Sequence, residues 1–269
     1  MLTMNIKRGV FLHSRKGSVT IFIIAAMEIM LVFFLLFYIK IHTVTYSIEK
    51  TSSEQQKIVI FSESLKSYMQ DCMDRSANEG FYMLGRQGGY IFQPFYLILP
   101  YEFLELDTGI IAYSYYNGDN ILVTREDMEY QISSYMDIAL SNCADEYSLK
   151  DFSIEKGTPE TKTAIYDNKV SINSNFPLTI KGKYSQINLE TFSNIYNIRL
   201  GYIHDVALHV VNDEVNNPDW IDITYLLDQS FNTTILPYDE EDIIYEFDDN
   251  NSLIDREPFV FLFANKFER

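Results

Sequence analysis

The sequence is poor in the residues on which fibrous, zinc-binding and nucleic-acid-binding proteins depend. Its 269 residues include only 11 glycines and 7 prolines, which excludes a collagen-like or low-complexity chain. Two cysteines without neighbouring histidines cannot complete a zinc shell. Lysine and arginine number 21 against 38 aspartates and glutamates, and the net charge of −17 disfavours binding to nucleic-acid phosphates. Hydrophobic residues nevertheless make up 47% of the chain, enough for a folded core.

Motifs that carry known chemistry are also missing from the sequence. No Gly-x-Ser-x-Gly elbow, His-Glu-x-x-His pair or Walker loop occurs. His204 and His209 are five residues apart and do not share a helix face, so we interpret both as exposed or partly packed side chains. We therefore expect neither enzyme activity nor a cofactor.

The first feature that is present is a long apolar run near the N-terminus. Residues 19–39 are almost all apolar, and about 20 such residues suffice to cross a membrane as a helix. Lys7, Arg8, Arg15 and Lys16 precede the run with no acidic residue among them, which predicts a cytoplasmic N-terminus. A cleaved secretory signal is the alternative, but its apolar region is usually shorter, about 7–15 residues.

This predicted membrane helix divides the chain into four segments. They are a cytoplasmic basic segment (1–17), a transmembrane helix (18–41), a stalk that continues as an amphipathic helix (42–85) and an extracellular α+β head (86–269). The head is predicted to combine helices with antiparallel sheet. Residues 1–40 carry a net charge of +4, so the rest of the chain carries −21. Such a charge keeps the head soluble, and it is also suited to cations or to a basic surface layer.

Glu28 is the one acidic residue inside the predicted span. A carboxylate within a bilayer is costly unless it is paired or protonated. Two interpretations stay open: a contact with a partner helix or with another subunit's N-terminus, or a protonated carboxyl group that the lipid tolerates.

The residues Lys16-Gly17-Ser18-Val19-Thr20-Ile21-Phe22 resemble the signal of type IV pilin-like proteins, which a prepilin peptidase cuts after the glycine. The archaeal pattern continues with Gln, Ser and Glu at alternate positions, where this chain has Ser18, Thr20 and Phe22. The resemblance implies processing between Gly17 and Ser18, but the glutamate associated with cleavage and filament assembly is absent.

A long helix is predicted to follow, because neither glycine nor proline occurs from Ser18 to Glu79. Its second half has one apolar stripe at three- and four-residue spacing. We interpret this stripe as packing against the protein's own domain, with a coiled-coil seam as the alternative. Glycines at 80, 85, 88 and 89 are predicted to end the helical region before a strand begins. The stripe consists of Ile58, Phe61, Leu65, Tyr68 and Cys72.

A second helix is predicted over 125–142, with Thr124 as its N-cap and Cys143 at its end. Cys72 also lies late in a predicted helix. Two cysteines in an extracellular compartment are usually joined, so we predict a Cys72–Cys143 disulfide. Closing a loop of this length stabilises a fold by roughly 4 kcal/mol in the chain-entropy model.

The remainder of the head has mainly a β pattern. The residues Asp167-Asn168 are suited to a tight turn between two short apolar runs, which predicts a hairpin. A third helix is predicted over 198–215 and a short helical turn over 218–227. The predicted strands are 163–166, 169–172, 176–180, 233–236, 242–247 and 259–263.

Several polar and aromatic groups of the head are candidate sites. The acidic runs 239–242 and 248–251 are interpreted as solvated turns, although Asp248, Asn250 and Asp255 are weak calcium candidates. The tyrosines near 113–116 could present rings on a binding loop, but a strand running into a turn is favoured. The sequence also contains the glycosylation sequons Asn232-Thr233-Thr234 and Asn250-Asn251-Ser252.

Five short segments, spread over most of the chain, resemble a group of single-pass membrane proteins from small-genome, symbiont-type archaea (the DPANN assemblage). The resemblance implies a membrane location and this architecture, with cysteines near positions 72 and 143. It implies no catalytic residue, since none is established for the group. The segments are Arg15-Lys16-Gly17-Ser18-Val19-Thr20-Ile21-Phe22-Ile23, Gly88-Gly89-Tyr90-Ile91, Ile221-Asp222-Ile223-Thr224-Tyr225-Leu226, Ile235-Leu236-Pro237-Tyr238 and Pro258-Phe259-Val260-Phe261-Leu262-Phe263-Ala264.

The sequence thus predicts a membrane-anchored cell-surface protein that acts in binding or surface assembly. A pilin-like filament subunit is the main alternative, and an extracellular enzyme is the second. Expected partners are membrane lipid, other surface or membrane proteins, and further copies of the chain through the N-terminal helix.

Overall fold

The computed structural model describes residues 18–92, 103–107, 109–148, 152–218 and 220–267. Two compact units divide the chain, Met1–Gln56 and Lys57–Arg269, and helix α1 (Ser18–Arg86) contributes residues to both. The secondary structure mixes 45% helix with 35% strand, which confirms the predicted α+β class at that level.

The described part of the first unit is helical. Within α1, the stretch Ile21–Val44 is long and apolar enough to cross a membrane, and none of it is buried. At 1.5 Å per residue a helix of 24 residues spans about 36 Å, more than a hydrocarbon core of about 30 Å. A signal sequence near an N-terminus would have the same length and composition.

The described residues of the second unit form three further helices and two sheets. The helices are α2 (Arg125–Glu146), α3 (Leu200–Asn216) and α4 (Ile223–Leu227). The strands are β1 (Phe103–Leu106), β2 (Gly109–Tyr116), β3 (Asp119–Asn120), β4 (Ser153–Lys156), β5 (Glu160–Tyr166), β6 (Lys169–Lys181), β7 (Gln186–Tyr196), β8 (Asn232–Pro237), β9 (Asp242–Ile254) and β10 (Glu257–Lys266).

One sheet has the order β1-β2-β10-β9-β8, with β3 paired to β2. Its pairs are antiparallel except that β10 runs parallel to β2, so the predicted purely antiparallel head is wrong at this pair. In the other sheet, β6 is central and pairs antiparallel with β4, β5 and β7. The predicted hairpin with the Asp167-Asn168 turn is the β5–β6 pair, in which Tyr166 lies opposite Lys169.

The larger of two buried apolar clusters joins helices and both sheets. Strand β6 buries every second residue, from Val170 to Ile180, and β10 does the same with Phe259, Phe261 and Phe263. The apolar stripe of α1 is buried against this core, as predicted, apart from the half-buried Tyr68. The coiled-coil alternative is therefore not needed to explain the stripe.

Helix α1 ends at Arg86, within the glycine-rich stretch that was predicted to end it. Gly80 and Gly85 lie inside the helix, and the chain turns at Gly88 and Gly89, which have φ angles of 71° and 94°. The Gly89 amide donates to the Leu84 carbonyl at 2.8 Å, the bond that closes a Schellman motif. No strand occurs among the described residues 87–92, and residues 93–102 lie outside the described part of the chain, so the strand after the glycines stays a prediction.

Three further element predictions needed correction. Residues 176–180 are not a separate strand but continue β6, with a register irregularity between Asn175 and Leu178. Strand β7 was not predicted at all. The helical turn predicted over 218–227 is confined to α4, which Asp222 caps by accepting a hydrogen bond from the Tyr225 amide.

Candidate ligand-binding groove

A groove of about 600 Å³ lies between the C-terminal turns of α1 and the β9–β10 hairpin. Its helical wall contains Arg75, Glu79, Tyr82 and Arg86, together with the half-buried Asn78. These positions are three or four residues apart, so their side chains share one face of the helix. Residues on the opposite face belong to the core, which fixes the helix and leaves this face to the groove.

The opposite wall is the hairpin, and its turn has an uncommon backbone. Asp255 and Arg256 have φ angles of 50° and 74°, in the left-handed region that usually requires Asn or Gly in a two-residue hairpin turn. The Asn78 amide donates to Asp255 Oδ1 at 2.7 Å, which ties the turn to α1. Left-handed backbone at non-glycine residues is concentrated at functional sites.

Gly85 sets the close approach of α1 to β10 at one end of the groove. A Cβ atom on Gly85 would lie 2.2 Å from the Val260 carbonyl oxygen and 2.8 Å from the Phe259 ring. No side chain fits in that space. The glycine therefore determines how close the helical wall lies to the strand.

The arginines of the groove differ from two other arginines in the described part of the chain. Arg125 forms ion pairs with Asp167 and Asp205, and Arg199 pairs with Asp249. By contrast, neither of the two arginines that line the groove, Arg75 and Arg86, has a carboxylate within 4 Å among the described residues. In a chain with 38 acidic residues, unpaired arginines gathered at one groove are available to a ligand.

Tyr82 supplies an aromatic surface between these arginines. Its side chain is 56% exposed, and the Arg86 guanidinium lies over its ring, 4.9 Å from the centroid. This cation–π contact orients both groups without neutralising the arginine charge.

Four carboxylates also line the groove: Glu79, Asp248, Asp255 and Glu257. Burial and, as the second cause, a hydrogen bond to Glu79 raise the pKa of Tyr135 to about 12. This tyrosine therefore stays protonated and donates to the Glu79 carboxylate. Asp248 Oδ1 is buried and has no hydrogen-bond partner among the described residues. The groove thus combines hydrogen-bond acceptors with unpaired cationic donors.

No protein-family model, curated protein or solved structure matches this chain. The proposed function therefore depends on the geometry of the groove and on the apolar helix.

The predicted site residues lie at separate places. The structure joins Cys72 and Cys143 in a disulfide between α1 and α2, with Cα atoms 6.5 Å apart. Glu28 is exposed on α1. Gly17 lies outside the described residues, and Ser18 is the first residue of α1.

The weak calcium candidates are only partly brought together. Asp248 and Asp255 both line the groove, whereas Asn250 is an exposed residue of β9 outside it. In the described ranges, no three His, Cys, Asp or Glu side chains form a group that could hold a metal ion. Calcium binding at these residues stays a prediction.

The interpretation of the acidic runs as solvated turns is wrong for two residues. Asp242 is 4% exposed and accepts a hydrogen bond from the Tyr113 hydroxyl at 3.0 Å. Asp249 is fully buried and is bound by Arg199 and Ser252. Burial alone would raise the pKa of Asp249, but these hydrogen bonds outweigh it and lower the pKa below its usual value.

A buried polar network links α3 to the larger sheet. Glu214 is 1% exposed and accepts hydrogen bonds from the Tyr245 hydroxyl and from the Asn265 amide. Asn265 Oδ1 in turn accepts from the Tyr115 backbone amide at 3.2 Å. Burial raises the pKa of Glu214 to about 7, against the lowering effect of both hydrogen bonds.

The histidines and tyrosines singled out in the sequence have structural positions. His204 is more deeply buried than predicted, and its Nε2 lies 2.8 Å from the Val123 carbonyl oxygen. His209 is exposed, and its Nε2 lies 3.2 Å from Asp213 Oδ2. Tyr113 and Tyr115 are buried in β2, which confirms the strand and not the binding loop.

Arg75, Tyr82 and Arg86 were not predicted as site residues. A signal for them was present, because together with Glu79 they continue the three- and four-residue spacing of the apolar stripe with polar or aromatic residues. Their common groove was not predictable, because the other wall is more than 160 residues away in the chain.

Proposed function

We propose that this protein is a membrane-anchored cell-surface protein whose acidic C-terminal unit binds a ligand outside the cell. Ile21–Val44 is the anchor, residues 1–17 are cytoplasmic, and the unit Lys57–Arg269 carries the binding groove. The observation that carries the proposal is the apolar helix, in which no residue is buried by the protein itself. Such a surface needs lipid to cover it.

Two other observations support the orientation. Four basic residues and no acidic residue precede the apolar stretch, as expected for a cytoplasmic segment. The Cys72–Cys143 disulfide is of the kind that persists in oxidising compartments.

The natural sequons offer a direct test of the orientation. The chain is translated with endoplasmic-reticulum microsomes, and the product is treated with an endoglycosidase. We expect a membrane-bound product that carries glycans at Asn232, Asn250 or both, and an Asn232→Gln, Asn250→Gln variant of lower apparent mass that the enzyme does not alter. A membrane-bound but unglycosylated product whose C-terminal unit is digested from outside the microsomes would contradict the proposal.

A pilin-like filament subunit processed after Gly17 is a second candidate. The observation that favours it is one long N-terminal helix, whose described residues continue from Ser18 to Arg86 without interruption. N-terminal sequencing of the mature protein separates the two functions. A start at Ser18 supports the filament subunit, and an intact residue 1 excludes this processing.

An extracellular enzyme is a third candidate, favoured by the four carboxylates of the groove. Paired carboxyl groups are the acid, base and nucleophile of most glycoside hydrolases. Incubation of the full chain with polysaccharides and measurement of new reducing ends tests this function, with Glu79→Gln and Glu257→Gln as the variants that should lose it.

A further inference from the structure

We propose that the groove between α1 and the β9–β10 hairpin binds an acidic polysaccharide, with uronate carboxylates on the arginines and sugar hydroxyls on the groove carboxylates. This ligand class rests on the proposed function, since acidic polysaccharides are found outside cells. It deepens that function by assigning roles to Arg75, Tyr82 and Arg86.

The charge pattern of the lining selects the ligand. Arg75 and Arg86 are 11 residues apart on one helix, or about 16 Å along its axis, and neither has a carboxylate partner among the described residues. A guanidinium without a carboxylate partner favours a planar acid group, which it can bind through two parallel hydrogen bonds. The groove is therefore suited to an elongated ligand with acid groups at intervals.

The acidic side chains of the lining exclude a densely charged ligand. Glu79, Asp248, Asp255 and Glu257 accept hydrogen bonds, and they repel closely spaced carboxylates or phosphates. An acidic peptide has no hydroxyl at every unit with which to satisfy these acceptors. A sugar acid has several hydroxyl donors for each carboxylate, which matches a lining of acceptors with a few cations.

Tyr82 is placed to contact the sugar ring. Sugar rings have an apolar face of C–H groups, and the exposed tyrosine ring between the arginines offers a flat apolar surface. Because Arg86 already lies over this ring, the acid-binding and ring-binding groups are held beside each other.

The net charge of the protein sets the conditions of the test. The chain after residue 40 has a net charge of −21 and repels polyanions at long range, but at 0.15 M salt charges are screened beyond about 8 Å. Groups within the groove then decide binding. The assay is therefore done at this salt concentration with the full-length protein in detergent.

The probe is a hyaluronan oligosaccharide, in which each glucuronate alternates with an uncharged sugar. The neutral polymer dextran and the densely charged poly-L-glutamate are the comparisons, and binding is measured by calorimetry. We expect binding of the hyaluronan oligosaccharide only, weakened about tenfold or more by Arg75→Gln and by Arg86→Gln, and more weakly affected by Tyr82→Ala. Lys66→Gln is the matched control: it removes one exposed charge from the same helix outside the groove and should leave binding unchanged. Thermal unfolding of each variant verifies that it is folded.

Three results would overturn the assignment: no binding of the hyaluronan oligosaccharide by the folded protein, binding by the two arginine variants as tight as that of the wild type, or tighter binding of poly-L-glutamate. The assay does not depend on membrane orientation. If the protein is glycosylated and faces outward but does not bind, only the ligand assignment is overturned. If the C-terminal unit is cytoplasmic but still binds, only the proposed location is overturned.

Discussion

Glu214 is a carboxyl group in the core, and its surroundings make it sensitive to pH. Its pKa of about 7 lies above the usual value of 4.5 because the desolvation caused by burial exceeds the effect of the donors Tyr245 and Asn265. The folded state therefore binds a proton more tightly than the unfolded state between these two pH values. The contribution of Glu214 to stability is fully present below about pH 4.5 and is lost as the pH rises through about 7.

The first prediction is that Glu214 makes the fold less stable at pH 8 than at pH 5. A difference of this size in pKa corresponds to about 3 kcal/mol of unfolding free energy. Denaturant unfolding of the wild type and of Glu214→Gln across this range measures the effect. Between pH 5 and pH 8 we expect the unfolding free energy of the wild type to fall by about this amount more than that of the variant. Identical pH slopes of the two proteins would show that Glu214 does not titrate in this range.

Gly85 is the residue that allows α1 and β10 to form the end of the groove. We predict that Gly85→Ala destabilises the fold by about 1–3 kcal/mol, although alanine favours a helix, because its Cβ would overlap the Val260 carbonyl oxygen. Chemical unfolding gives the free energies.

Gly157→Ala is the matched control for this substitution. Its Cβ would lie 3.4 Å from Pro177, an ordinary contact, so its stability should stay within about 0.5 kcal/mol of the wild type. Equal effects of the two substitutions would show that close approach at Gly85 is unimportant.

At the scale of elements, the disulfide links two helices that are distant in the sequence. Cys72 in α1 and Cys143 in α2 are separated by 71 residues. The bond restricts the unfolded chain over that length, and it holds α1, one wall of the groove, against α2.

We predict that the Cys72→Ala, Cys143→Ala variant is about 4 kcal/mol less stable than the wild type, from loop-closure entropy. Thermal unfolding with and without reductant provides the measurement. Reductant should lower the Tm of the wild type and leave that of the double variant unchanged. A wild-type Tm insensitive to reductant would show that the cysteines are not joined.

The elements that local patterns specify were predictable from the sequence. Helix α2 has its Thr124 cap and the hairpin β5–β6 has its Asp167-Asn168 turn, because both signals depend on neighbouring residues. Strand β7 was missed because much of it is exposed, with Phe192 as its one buried side chain. The parallel pairing of β2 with β10 joins segments about 150 residues apart, which no local pattern encodes.

The same distinction applies to the candidate groove. The sequence shows the polar stripe of α1 and the acidic character of the 248–255 region, but not that they form opposite walls. The buried Asp249 was misjudged because its partner, Arg199, lies 50 residues earlier and precedes α3. Long-range packing decides whether a carboxylate is solvated, and local composition does not.

At the scale of the whole molecule, the proposed location depends on the apolar helix. Within Ile21–Val44 the large apolar side chains are exposed, so the protein itself does not cover them. Together with the basic N-terminal segment, this helix is the basis of the proposed anchor.

We predict that Leu31→Arg together with Leu35→Arg releases the protein from membranes. Each arginine near the centre of a span costs about 3 kcal/mol on insertion scales. Extraction of membranes at alkaline pH should leave the wild type in the pellet and move the variant to the supernatant. The pair Leu31→Ala and Leu35→Ala is the control and should stay in the pellet, while retention of the arginine variant would argue against a membrane span.

The central claim, an anchored protein whose acidic unit faces the exterior, is tested most directly by protease treatment of intact cells. The full chain is expressed with different epitope tags at its two ends, and both tags are followed during digestion. The account predicts that the C-terminal tag disappears while the N-terminal tag stays protected until the membrane is permeabilised. Protection of the C-terminal tag in intact cells, with digestion only after permeabilisation, would contradict it.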